Sequence, residues 1–336
     1  MDSPTVGARR SALRVLGAVL AAGASIVSPL AQSGGVPAPP SPAAEPALQV
    51  ASLLKGTLPV VTEHRYRIAG KIRPLLLFWV GRDNVGSARV RWRRGERGDT
   101  GYDLLIGSDP ARAPRRLNRW GFVMEENDAS GASILGVMKK SDEETLDQAK
   151  SNVVNEAGAG AVFKIIRATV GPSESVARVS EANVGRDYSY RELDGLMERL
   201  LNANVVPATR TTPLPPNGRR GFLLSLAELL HDGVEGAKAT SKAPGRKNLP
   251  YVFYRKPYDL LRVSAAIEQQ ATYGGVTYPR LLKQTFELRA RGESWVENFA
   301  IVCGIDGPLA EVPIFMTYQP RWWLKLEMVL DEHQAF

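Results

Sequence analysis

Alternation of apolar and polar residues constrains this chain more than any other feature. Val90 and Trp92 alternate with Arg89, Arg91 and Arg93; Tyr102, Leu104 and Ile106 repeat the pattern, and so do Trp120, Phe122 and Met124. Clusters rich in Gly, Asp, Asn and Pro separate these runs, at 81–84, 95–101, 107–110 and 126–131. A period of two sends successive side chains to opposite faces of a strand, so each run has one face to bury and one to wet. Short alternating strands with turn signals at near-regular spacing indicate an antiparallel sheet or barrel. The last third of the chain returns to the pattern with Leu261, Val263, Ala265 and Ile267, then Leu282, Gln284, Phe286 and Leu288. The most regular run is the last. Trp322, Leu324, Leu326, Met328 and Leu330 point one way, with Lys325 and Glu327 opposite.

Between these strand-rich ends lies a helical middle, about 141–240, within which Val162 to Val170 and Ser175 to Ala182 look extended. Ser141-Asp142-Glu143-Glu144 and Ser189-Tyr190-Arg191-Glu192 both place a carboxylate three residues after a hydroxyl N-cap, the capping-box arrangement. A third helix is expected over Phe222 to Leu230, followed by a flexible stretch through Lys247. The expected fold is therefore α+β and β-rich: an antiparallel sheet curled into a barrel or sandwich, with helices packed on one side. A single domain over 58–336, its first and last strands sharing a sheet, is preferred to two domains split near 204–248.

The N-terminus reads as an address. Arg9-Arg10 precede an apolar stretch, Leu13 to Val27, and a small-residue exit at Ser28-Pro29-Leu30-Ala31. That order of charge, apolar core and small residues marks residues 1–31 as a secretory signal. Arg9-Arg10-Ser11-Ala12-Leu13-Arg14 also resembles the twin-arginine export signal. The apolar run of about 15 residues is shorter than the about 20 that a spanning helix needs. Residues 32–57, densest in Pro, Ala and Gly over 33–47, have too few large apolar groups to pack and read as a disordered tether. The expected location is periplasmic or secreted, with no transmembrane segment in the mature chain.

The formal charge is +8, and removal of Asp2, Arg9, Arg10 and Arg14 with the signal leaves it near +6. Such a balance favours anionic partners, an amphipathic small molecule or an envelope polymer, and no nucleic-acid module is recognisable. Cys303 is the only cysteine, so no intrachain disulfide can form; its apolar neighbours mark it as a core residue. His64, His231 and His333 are scattered, without HxH or HExxH spacing, and no metal or cofactor motif is seen.

Two residue sets carry chemistry. Arg91 and Arg93 share one side of a strand, and Arg116 and Arg119 crowd the segment before Trp120. If these strands pair, the four guanidinium groups are expected on one face around an opening, where they would hold an anion bidentately. Nearby Asp83, Asp99, Asp103 and Asp109 offer the alternative of ordinary ion pairs. Trp120 and Trp322 are the aromatic candidates for the same ligand. Glu125 and Glu126 are the weak catalytic candidates, with no assignable acid/base partner. The sequence thus favours binding over catalysis: an exported module for an apolar or amphipathic anionic ligand. The alternatives are a hydrolase of envelope or extracellular polymer, and a structural envelope protein that docks a partner.

Overall fold

The computed structural model describes residues 58–72, 79–113, 116, 118–129, 131–139, 162–183, 188–193, 195–196, 208–218, 220–253, 256–321 and 324–333. The expected signal at 1–31, the whole expected tether at 32–57, the Ser141 capping box and Trp322 lie outside these residues.

The alternating runs become fourteen strands of one sheet. In chain order they are β1 (Val60–Ile72), β2 (Val80–Arg94), β3 (Thr100–Ser108), β4 (Trp120–Asp128), β5 (Gly131–Lys139), β6 (Val162–Val170), β7 (Glu174–Asn183) and β8 (Ala208–Pro213). After a helix, α1 (Phe222–Thr240), come β9 (Lys247–Phe253), β10 (Lys256–Tyr273), β11 (Val276–Ala290), β12 (Val296–Gly304), β13 (Pro313–Arg321) and β14 (Leu324–Leu330). The spatial order is β8-β7-β6-β5-β4-β3-β2-β1-β14-β13-β12-β11-β10-β9. Each strand pairs with its sequence neighbour except at one join, where β1 meets β14 antiparallel, Tyr66 opposite Leu330 and Ile72 opposite Leu324. The first and last strands therefore sit side by side in the middle, and β8 and β9 form the two edges. The sheet is curled but not closed, and the last run found in the sequence is a central strand.

The chain crosses from one edge to the other through α1, which touches β3 and β4 on one arm of the sheet and β9, β10 and β11 on the other. The helix thus occupies the hollow of the curl. Its first turn, Phe222, Leu223, Leu224 and Ser225, is buried all round, as befits a helix end enclosed by a core rather than lying on a surface. Around it gathers the main core: Val123, Ile134, Ile166 and Val179 from one arm, Leu260, Phe286, Phe299 and Ile301 from the other. A second core lies on the convex face of β3–β6, where Trp120, Phe122, Leu135 and Phe163 are covered by Tyr188, Tyr190, Leu193 and Leu196.

Two helical expectations gain detail. At the second capping box, the Ser189 N–H donates to Glu192 Oε2 at 3.0 Å, and its hydroxyl donates to the same oxygen at 3.1 Å. The residues that follow form a 3-10 turn, Tyr190–Glu192, docked on the convex core, and Leu193, Gly195 and Leu196 continue it as α-helix. The third helix runs to Thr240, ten residues past its expected end at Leu230. Gly233 reads as a breaker in sequence but is a contact point here. A Cβ at this position would stand 2.4 Å from Gln284 Oε1 and 2.9 Å from Arg262 Nη1. Only glycine lets the helix lie this close to β10 and β11.

Buried polar groups at that contact fix the helix in place. Arg262, 2% exposed, donates to Asp232 Oδ2 at 2.7 Å, to the Leu229 carbonyl at 2.9 Å and to the Gly245 carbonyl at 2.9 Å. Lys247 Nζ bonds the other oxygen of Asp232 at 2.6 Å, so a buried cation and a half-buried carboxylate are both satisfied. Cys303 lies beside this network as a buried free thiol, pushed up to about 12 by burial. Its expected place in the core is the one it takes.

Candidate functional site

Register decides which residues share the hollow. Trp92 of β2 stands opposite Tyr102 of β3, which stands opposite Glu125 of β4; the row continues through Ile134 and Ala168. One step along, Val90, Leu104 and Val123 make a parallel row. Cross-strand partners project to the same side of a sheet, and Val123, Ile134 and Ala168 share one core with Phe222, Leu229 and Val234 of α1, so both rows face inward. From the other side of the β1–β14 join, Met316 and Leu326 face the same hollow.

Coverage by the helix divides this face in two. On β4 and β5 the inward side chains nearest the helix are buried, Val123 at 0% and Ile134 at 3% exposure. Over β2, β3, β13 and β14, Val90, Trp92, Tyr102, Leu104, Met316 and Leu326 are only half-buried, although α1 reaches β3. A concave, largely apolar surface with two aromatic rings is thus left beside the helix. Burial pushes the Tyr102 phenol up to about 12, and the nearby Glu311 carboxylate adds to the shift. It is therefore a neutral group on this surface at physiological pH.

Glu125 closes the inner end of the row. Its carboxylate accepts from the Leu224 N–H at 3.0 Å, with the Phe222 and Leu223 N–H groups also bonded to it. The first N–H groups of a helix have no partner within it, and the N-cap here, Gly221, has no side chain to supply one. Glu125 supplies the cap from a strand, and a Cβ on Gly221 would fall 2.4 Å from its carboxyl carbon. Desolvation dominates the balance. Burial raises the carboxyl to about 7 against the lowering by three N–H groups, and its Oε1 has no hydrogen-bond partner. Around the same helix end, Phe222 and Tyr251 rings lie 5.8 Å apart and Tyr251 stacks on Tyr258 at 5.2 Å.

The other sequence candidates fall elsewhere. Glu126 points to the convex face, where it accepts from the Leu58 N–H at 3.1 Å. Adjacent on one strand, Glu125 and Glu126 face opposite ways and cannot act together on one bond. Arg91 and Arg93 are also on the convex face, and both converge on Asp103. Arg91 Nε donates to Oδ1 at 2.8 Å, and Arg93 Nε donates to Oδ2 at 2.8 Å. Arg93 Nη1 bonds the Leu58 carbonyl at 2.8 Å, and both Arg93 and Asp103 are enclosed.

Arg116 is exposed in the β3–β4 connection, with a left-handed φ of 55°, and Arg119 precedes Trp120 at the start of β4. The expected convergence of the four arginines on one anion needs correcting. Arg93 stands opposite Gly101, whereas Trp120, next to Arg119, stands opposite Gly107. Six residues of strand separate those levels by about 20 Å. Trp120 likewise faces away from the hollow. It is 1% exposed, packs on Phe163 at 5.3 Å and donates its indole N–H to the Tyr188 carbonyl at 2.6 Å.

No known family and no curated protein matches the sequence. Among solved structures the chain is similar to a crystal structure of a beta-barrel-like protein of the DUF1849 domain from Brucella abortus. The two share 11% identity with a TM-score of 0.39, over 82% of this chain and 98% of that one. Among the described residues, no helix is long and apolar enough to cross a membrane.

Proposed function

We propose that this protein is an exported binding protein for an apolar or amphipathic anionic ligand, held on the half-buried concave surface beside α1. The observation that carries the reading is the contrast on that face: side chains under the helix are sealed, while Val90, Trp92, Tyr102, Leu104, Met316 and Leu326 keep apolar area in contact with solvent. Concave apolar surfaces with a few polar groups at their edge are the usual form of small-molecule sites. The export part of the reading rests on the charge-apolar-small order of residues 1–31. Anionic preference rests on the excess of Lys and Arg, 43 against 35 acidic residues.

The test is a titration with an anionic, environment-sensitive dye, followed by displacement with a long-chain fatty acid or with the alcohol of equal length. Saturable dye binding, displaced better by the acid and lost in Trp92→Ala, is the expected result. Binding that Trp92→Ala leaves intact would place the ligand elsewhere. Equal displacement by the alcohol would remove the anionic part of the reading.

A further inference from the structure

We propose that His231, Glu235 and Glu311 form a binding site for a divalent transition-metal ion, Zn2+ foremost, that clips the outer half of α1 to the β12–β13 connection. One ligand atom from each residue lies within 4.8 Å of the other two. His231 and Glu235 are four residues apart on α1, so they project from one face of the helix. Glu311 comes from a different element, and its Oε1 stands 2.8 Å from His231 Nδ1. A tetrahedral zinc with ligands at about 2.0–2.2 Å holds neighbouring donors about 3.5 Å apart. Side-chain rotation alone bridges that difference. One imidazole and two carboxylates suit Zn2+, with water in the fourth position.

The backbone holds the third ligand ready. Glu311 adopts a left-handed φ of 67° and donates its N–H to the Gly304 carbonyl at 3.0 Å, while Val312 N–H bonds Leu309 at 3.1 Å. The surrounding charges complete the account. Lys238 Nζ bonds Glu235 at 2.7 Å and lowers its carboxyl below the usual range, and Asp306 pairs with Arg280 at 2.6 Å. Lys238 is the competitor for the site. Its pair with Glu235 is exposed, and such pairs are weak, so a metal ion displaces it readily.

Calorimetric titration of the purified protein with Zn2+ at neutral pH tests this. The expected result is one saturable site per chain, weakened at least about tenfold by His231→Ala and by Glu311→Gln, since even outer partners of metal ligands usually matter that much. Lys238→Ala should bind more tightly than the parent, which a purely structural role for the cluster would not produce. Unchanged circular dichroism shows that the variants fold. No saturable binding, or binding that both ligand variants leave intact, would overturn the proposal.

Discussion

The two parts of the concave face are built from the same material and meet different fates. On β4–β6 the inward residues Val123, Ile134 and Ile166 are buried in the core that α1 joins; on β2 and β3 the inward residues Val90, Trp92, Tyr102 and Leu104 are only half-buried. Strand alternation is equally good in both. What differs is one helix, placed by glycine at 233, by the Arg262–Asp232 contact and by Glu125 at its start. Secondary structure thus determines which side chains face inward. Enclosure in the core around the helix, not alternation, separates those that become core from those that remain a surface.

Truncation should separate the two parts most strongly. Phe286→Ala, beneath the helix at 0% exposure, is expected to cost about 3–5 kcal/mol in urea unfolding. Trp92→Ala should cost less, about 2–3 kcal/mol, because its side chain is only partly enclosed. Equal losses would mean that both parts are core and would erase the distinction.

Glu125 sharpens the contrast by pH. Its folded carboxyl is raised from an ordinary 4.5 to about 7, so the folded state binds the proton more tightly than the unfolded chain. The stability this gives is complete below about 4.5 and is lost as pH rises through about 7. From pH 5 to pH 8 the loss should be on the order of 2–3 kcal/mol. Glu125→Gln should flatten that slope while leaving the low-pH stability nearly unchanged. A parent protein whose unfolding midpoint is flat over this range would show that the carboxyl ionises freely.

Gly233→Ala tests the helix placement itself. In an open helix the change would stabilise by about 1 kcal/mol. Here the added carbon meets Gln284 and Arg262, so a net loss of about 1–3 kcal/mol is expected by thermal or denaturant unfolding. A gain would mean that the helix can stand off the sheet. Leu326→Ala is the mildest. Half-buried at the border of the two parts, it should cost about 1 kcal/mol, below the 2–5 typical of a fully enclosed leucine.

Period two made the strands legible, down to the central place of Leu324–Leu330 beside β1. It also showed that Arg89, Arg91 and Arg93 share a side. It could not show what stands across from them, because that depends on strand register: Asp103 comes level with Arg91 and takes both guanidinium groups. The role of Glu125 was hidden for a related reason. Its partner, the Leu224 N–H, is 99 residues further along, and no local spacing connects a strand carboxylate to a distant helix end. Trp92 and Tyr102 were visible as alternating residues. Their position at the open part of the hollow depends on where α1 stops covering the sheet, and that follows from Gly233 and a buried arginine on β10, neither of which the alternation of β2 and β3 reveals.

The central claim is that a ligand lies against Trp92 beside the helix. Fluorescence quenching by a brominated fatty acid tests it directly, since bromine quenches only indoles it approaches closely. The expected result is saturable quenching in the parent protein that mostly disappears in Trp92→Phe, with the other five tryptophans unchanged. Quenching of equal depth in Trp92→Phe would contradict the account.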